Sequence, residues 1–254
     1  MGSALACEYA WLGRVPYEEA WSLQKRLASE RAAGERPDTL LLLEHPPVFT
    51  TGRRDARFNL RLPPEMLGAP LINTDRGGDI TFHGPGQLIA YPIMDLRAAG
   101  LGVVEYVRNL EETIISTLRG YGIESGLECG RTGVWVPQPS VSGTADCPSP
   151  AHGRGGRGEG SDKIAAIGVR VSRPGGASGG WITTHGLALN VSVDLAWFDR
   201  IVPCGIADRR VTSMERITGS ALPLQRIGQE LASQFGSVFG RCMVQGQIPD
   251  LSPA

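Results

Sequence analysis

Lysine is nearly absent from this chain. Lys25 and Lys163 stand against 23 arginines in 254 residues. Glycine, alanine, arginine and proline are plentiful, as in a GC-rich coding sequence where arginine displaces lysine almost everywhere. A lysine kept in that setting is either a chance survivor or a residue whose chemistry arginine cannot supply. A long hydrophobic run is also missing: nothing approaches the roughly 20 apolar residues needed to span a bilayer. An excess of either charge is missing too. The net charge is −1, which gives no electrostatic case for nucleic acid or an anionic membrane as partner. The start, MGSALACEYAWLG, lacks the basic and apolar regions of a signal peptide. The five cysteines are odd in number and scattered, which argues against a disulfide framework and for a reducing, cytoplasmic setting. Cys129, Cys147 and His152 lack zinc-like spacing, so no metal is expected there.

What is present reads as a mixed α/β (α+β) chain, large enough to bury a sizeable core. PYEEAWSLQKRLASERAAG, from Pro16 to Gly34, has acidic residues early and a terminal glycine, the marks of a helix. TLLLLEH is a short, fully apolar run, predicted as a buried strand. Val104, Val107, Leu110, Ile114 and Leu118 fall at helical spacing, and PLQRIGQELASQFGSVFG predicts a last amphipathic helix. GVWV, KIAAIGVRV and WITTHGLALNVSVDL predict strands. Strands and helices do not alternate regularly, so a mixed, largely antiparallel sheet flanked by helices is expected. Residues 137–161 are rich in Pro, Gly and Ser and predict a flexible insertion, a spacer rather than a lid.

Four segments can carry chemistry. RGGDITFHGPGQ sets two glycine turns around a short strand, a geometry that can line a pocket with backbone N–H groups and place His83 at its mouth. In KIAAIGVRV, strict alternation would put Lys163 on one face with Ala165, Ile167, Val169 and Val171. A partly desolvated lysine can serve as a general base or acid, whereas arginine stays protonated. The alternative is a strand-end lysine reaching to water. In WITTHGLALN, alternation groups His185 with Thr183, Leu187 and Leu189, and leaves small Gly186 and Ala188 opposite. In IVPCGIADRRVTSMER, Cys204 lies between Pro203 and Gly205, in a loop rather than an apolar run. Cys7 and Cys242 better fit inert thiols. A thiolate at Cys204, supported by Lys163, suits thioester chemistry.

Together and in this order, RGGDITFHGPGQ, KIAAIG, HGLALN and PCGIADRRVTSM resemble the lipoyl(octanoyl) transferase family of lipoate biosynthesis, over roughly residues 8–218. The resemblance implies the fold of the biotin and lipoate protein ligases. Residues 1–218 would form the catalytic domain, and 219–254 a C-terminal helix and tail packed on it. It implies that Cys204 takes octanoyl from octanoyl-acyl carrier protein as a thioester, and that a lipoyl-domain lysine then takes it as an amide. The acceptors would be the lipoyl domains of 2-oxoacid dehydrogenase complexes and the glycine cleavage H protein. Lys163 would lower the cysteine pKa and shuttle the proton, with no cofactor and no metal. The acyl-binding positions carry over to Arg76, Gly77, Gly78, Asp79, Ile80, Thr81, Phe82 and His83, to Ala166, Ile167 and Gly168, and to Gly186, Leu187 and Ala188. Small side chains at Ala166, Gly168, Gly186 and Ala188 would leave a slot for eight carbons, each buried CH₂ contributing about 0.8 kcal/mol.

Three alternatives stay open at this level. An ATP-dependent lipoate or biotin protein ligase would not need Cys204. A non-catalytic relative would bind lipoyl domains without turnover. A thiol acyltransferase or amidase would pair the cysteine with His83 or His185. The arginines Arg53, Arg54, Arg57 and Arg61 offer a docking patch for an acidic carrier protein. Charge reversal at Arg53 and Arg54 is expected to raise the KM for the carrier protein several-fold and to weaken its salt dependence. Steady-state kinetics at two ionic strengths check this, and unchanged constants would remove the patch.

Overall fold

The structure, a computed structural model, describes residues 5–53, 57–138, 160–174, 180–202, 210–246 and 248. Cys204, Arg54 and nearly all of the 137–161 insertion lie outside the described residues. In chain order the elements are β1 (Leu5–Arg14), α1 (Tyr17–Ala33), β2 (Asp38–Glu44), β3 (Val48–Thr51), β4 (Leu71–Asn73), β5 (Thr81–His83) and β6 (Gln87–Ile93). There follow α2 (Val103–Arg119), β7 (Gly126–Glu128), β8 (Arg131–Pro137), β9 (Ser161–Ser172), β10 (Ile182–Asn190), α3 (Met214–Thr218), α4 (Leu224–Phe239) and β11 (Arg241–Gln245).

The main sheet has the order β11-β1-β2-β6-β10-β9-β8-β7, and β4-β3-β5 form a small second sheet. In the main sheet only β1 pairs in parallel, with β11 and β2, so that sheet is largely antiparallel, as the sequence pattern predicts. The apolar run of β2 is buried on both faces. Leu40 and Leu42 meet one core, Leu41 and Leu43 the other. On the first face lie α2, through Tyr106, Leu110, Ile114 and Leu118, and α4, through Ile227, Leu231 and Phe235. On the second lies α1, through Ala20, Leu23, Leu27 and Ala28. Each fully buried Leu or Ile here contributes roughly 1.5–3 kcal/mol. A third cluster, with Phe49, Ile80, Phe82 and Phe198, fills the space under the small sheet.

Several features depart from the sequence expectation. The half-exposed strands β1 and β11 and the short strands β3 to β5 carry no clear alternation and escape pattern reading. The segment expected to continue as a strand to Leu195 stops at Asn190. There the Val191 and Ser192 N–H groups turn to Gly86 O, at 3.2 and 2.8 Å. Cys7 and Cys242 are free thiols, but Cys129 is disulfide-bonded. None of the described helices is long and apolar enough to cross a membrane.

The central strand β10 holds a local irregularity that shapes the site. Its pairing with β6 covers Leu187 to Asn190 and resumes only at Ile182, opposite Asp95. Between them His185 adopts φ 57°, the only left-handed non-glycine among the described residues. Gly186 follows, so close to β6 that an added Cβ would stand 2.1 Å from Ala90 O and 2.7 Å from Pro92 Cδ. Gly186→Ala is expected to cost about 3 kcal/mol of stability, since backbone on a central strand cannot yield. A urea unfolding midpoint close to that of the wild type would contradict this contact.

Candidate active site

The geometry of β9 decides where Lys163 points. Trp135 of β8 pairs with Lys163, yet the adjacent Val134 pairs with Ala165. Ile164 is therefore an extra residue in β9, a β-bulge. Val134 and Trp135 are neighbours on one strand and face opposite ways, so their partners Ala165 and Lys163 do too. Strict alternation predicts the reverse, with Lys163 beside Ala165, Ile167 and Val169. The bulge corrects it. Ile164 and Ala165 both enter the core under α2 and α4, and Lys163 turns to the face of Ala166 and Gly168. It is 7% exposed, and its Nζ lies 5.2 Å from the centre of the Trp135 ring.

On that face Ala166 pairs with Ala188, and Gly168 with Gly186. Four small residues thus form the floor of a narrow slot. Its walls are Tyr17 of α1, Tyr91 of β6, His83, His185, and the Arg76, Gly78, Asp79 and Thr81 side of the RGGDIT segment, with Ile167 and Leu187 completing the lining. The free space is about 40 Å³. Arg76 is buried and its guanidinium donates to Thr50 O at 2.7 Å and Thr50 Oγ1 at 2.9 Å. Asp79 accepts from Asn59 Nδ2 at 2.8 Å. Three of the residues expected in the slot do not line it. Ile80 and Phe82 point into the third core because the short β5 needs its own apolar anchor. Gly77 instead donates to Val169 O at 2.9 Å and borders an outer cavity of about 430 Å³ with Arg53, Asp75 and Arg170. The glycine N–H groups expected to face a ligand are also partly engaged: Gly86 N–H donates to Glu44 Oε2 at 3.0 Å.

Three of the four histidines gather here, and their partners define their tautomers. His45 Nδ1 lies 2.6 Å from Val15 O, which can only accept, so Nδ1 carries the proton and Nε2 accepts from Tyr91 O–H at 2.8 Å. His83 Nδ1 donates to Gln87 Oε1 at 2.8 Å, leaving Nε2 to face Thr50 Oγ1. His185 Nε2 donates to Asp75 Oδ1 at 2.7 Å, leaving Nδ1 toward Tyr17 O–H at 3.4 Å. The left-handed backbone explains how His185 reaches this side. Alternation would place it with Leu187 under α2, but its ring lies against Tyr17, Tyr91 and Trp21. Its N–H is held at 2.6 Å by Gln24 Oε1, a side chain 1% exposed on the apolar face of α1. Burial lowers the pKa of all three histidines, to about 4 for His45 and well below the usual value for His83. For His185 the Asp75 carboxylate works against burial without cancelling it. Burial also tends to raise the Asp75 carboxyl, but the hydrogen bond and charge from His185 and the nearby Arg170 outweigh it and hold it low. Tyr17, Tyr91, Gln24 and Asp75 are not marked by any sequence motif. Only Gln24 leaves a signal there, as a polar residue in line with Ala20, Leu27 and Ala28.

A second chain of bonds ties the motifs to Lys163. Gln87 Nε2 donates to Asn190 Oδ1 at 2.9 Å, Asn190 Nδ2 to Thr212 O at 3.0 Å, and Thr212 N to Lys163 O at 2.9 Å. Lys163 N donates to Arg210 O at 2.9 Å, completing a parallel bridge opposite Val211. Arg210 is six residues beyond Cys204, at most about 20 Å of extended chain. The final residues of the HGPGQ and HGLALN motifs, and the threonine of VTS, thus hold together the strands around the lysine.

The neutral histidines set a pH dependence. In the unfolded chain histidine titrates near 6.5. Below that pH the unfolded state takes up protons that the folded state refuses, so stability falls as pH drops. For His45 the loss runs from about 6.5 down to about 4 and amounts to roughly 3 kcal/mol. His83 and His185 add losses of the same sign. His45→Gln is expected to flatten stability against pH between 4 and 6.5. Equal slopes in urea titrations of both proteins would count against a neutral, buried His45.

Comparison with known proteins identifies the family. The family model of the lipoyl protein ligase A/B catalytic domain matches residues 16–236. The octanoyltransferase of Rubrobacter xylanophilus is 47% identical over 90% of this chain and 91% of its own. That of Chloroflexus aurantiacus is 44% identical over 90% and 92%. Among solved structures, a bipartite lipoate protein ligase from Thermoplasma acidophilum superposes with TM-score 0.66 at 15% identity, over 96% of this chain and 88% of that one. A lipoate-protein ligase A bound with ATP gives 0.64 at 15% identity, over 97% and 90%. At that identity the structural likeness speaks for the fold, and the sequence relatives speak for the branch. The chain belongs to the lipoyl protein ligase A/B catalytic-domain family, on its octanoyltransferase side, and is an acyltransferase.

Proposed function

We propose that this enzyme moves octanoyl from acyl carrier protein to a lysine of a lipoyl domain through a thioester on Cys204. The observation that carries the proposal is the bulge at Ile164, which places Lys163 on the same face as the small-residue floor of the slot. The acyl chain lies over Ala166, Gly168, Gly186 and Ala188, and the seven carbons beyond the carbonyl contribute about 6 kcal/mol of binding at ~0.8 kcal/mol each. As it stands the slot holds about 40 Å³, so the chain requires its walls to part.

The chemistry balances without ATP. The Cys204 thiol gives its proton to Lys163 and its sulfur attacks the thioester carbonyl. The C–S bond to the carrier breaks, and the leaving thiolate takes the proton back from Lys163. In the second half the acceptor lysine's amine attacks the acyl-enzyme. Its surplus proton passes through Lys163 to the departing Cys204 sulfur. An amine can relay a proton in this way and a guanidinium cannot, which accounts for lysine at position 163 in an arginine-rich chain. The proposed acceptors are the lipoyl domains of 2-oxoacid dehydrogenase complexes and the glycine cleavage H protein, and Arg53 and Arg61 stand exposed for an acidic partner. The shared fold keeps one rival alive, an ATP-dependent ligase in which Cys204 has no role.

Intact mass after mixing with octanoyl-acyl carrier protein, without ATP, separates the two. One octanoyl group should be gained by the wild type and none by Cys204→Ala. Lys163→Arg should slow acyl-enzyme formation by about 10²-fold or more. An unmodified wild type that gains octanoyl transfer only with ATP would establish the ligase instead.

A further inference from the structure

Lys163 faces the slot only while β9 keeps its extra residue. A slip of one residue into a regular ladder would carry Lys163 to the other face, toward α2. Something must therefore hold the bulge. Across from it, Gly133 of β8 adopts φ 123°. A Cβ there would stand 2.8 Å from Lys163 Cε, 3.3 Å from Lys163 Nζ and 2.6 Å from Ala165 O. The lysine stem thus runs along the bare backbone of Gly133, and its Nζ lies 5.2 Å from the centre of the Trp135 ring. The Gly133 N–H donates at 3.0 Å to Oε1 of Glu111, which reaches across from α2.

Glu111 is 1% exposed and lies beside the apolar stripe of α2, between Leu110 and Ile114. A carboxylate so deeply buried is costly unless paired. Its second oxygen takes Nη1 of Arg108 at 2.8 Å, and its first is directed at the irregular stretch of β8. Helix packing alone would favour a leucine or methionine here. We infer that Glu111 is a positioning residue of the acyl transfer: by holding Gly133 N–H it stabilises the β8–β9 bulge and keeps Lys163 on the face of the slot. The inference rests on the proton-transfer role proposed above for Lys163.

The scarcity of lysine makes this directly observable. With lysine labelled by ¹³C at Cε, the protein gives two signals, from Lys25 and Lys163. Both lie over tryptophan rings, Lys25 with Nζ 3.8 Å from the centre of Trp21. Glu111→Met keeps the side-chain volume but removes the acceptor. It should shift the Lys163 signal toward its unstructured position and leave Lys25 in place. The rate of acyl-enzyme formation at saturating donor should fall about 10²-fold, as for a misplaced catalytic group, with the donor KM little changed. Glu111→Gln, which keeps an acceptor oxygen and loses the charge, should restore the Lys163 signal and most of the rate. If Glu111→Met does not fold, Glu111→Asp serves, since it keeps the charge and withdraws the acceptor by about one C–C bond of ~1.5 Å. It should displace Lys163 in the same direction. A folded Met or Asp variant with an unmoved Lys163 signal overturns the inference. Displacement without loss of rate, while Lys163→Arg is also fully active, would leave the bulge support standing and refute the role of Lys163 itself.

Discussion

One extra residue in a strand decides which face of the sheet Lys163 occupies. Ile164 breaks the β8–β9 ladder, and on the far side of the break every side chain of β9 changes face. Without it Lys163 would enter the core under α2 and α4, among Leu110, Ile114 and Val134. An ammonium there, away from water, is costly unless paired. With it, Ile164 and Ala165 fill that core and the amine turns to the face of the slot. The same irregularity explains a glycine and an acid that look out of place. Gly133 clears the path of the lysine stem, and Glu111 takes the N–H that the kinked strand presents to α2.

The slot is built by subtraction. Facing pairs Ala166–Ala188 and Gly168–Gly186 remove side chains from two neighbouring central strands, and the RGG segment lies across the space they leave. Against Gly168 an added Cβ would stand 2.9 Å from Gly77 O and 3.2 Å from Arg76 Cδ, so the glycine is what admits that segment. The surrounding polar groups are kept in one arrangement. The histidine tautomers follow from partners that can only accept, and the Gln87–Asn190–Thr212 chain fastens three separate motifs to the backbone of Lys163. A buried polar network satisfied in this way is rigid, because any rotation strands a donor or acceptor.

The fold itself is shared at 15% identity with a lipoate-protein ligase A bound with ATP, and a fold by itself does not choose a reaction. The choice lies in a few side chains placed on it. Tyr17, Gln24 and Asp75 show how far those placements reach, since each meets His185 across more than a hundred residues of chain.

A good part of this is legible in the order of the residues. The helical spacing of Leu110, Ile114 and Leu118, the double-sided apolar run of β2, and the small residues around Ala166 and Gly186 are local patterns, and the folded chain keeps them. The near absence of lysine marks Lys25 and Lys163 alike, and the ordered motifs pick out Lys163 and indicate the family. The remaining positions are fixed by contacts between distant parts of the chain. The face of Lys163 depends on a register between two strands. The displaced ring of His185 depends on a backbone angle held by Gln24 from another layer. Ile80 and Phe82 sit in a third core that only the small second sheet creates. Periodicity assumes an unbroken strand, and each of these positions is set where a strand is broken or where a distant partner outweighs the local pattern.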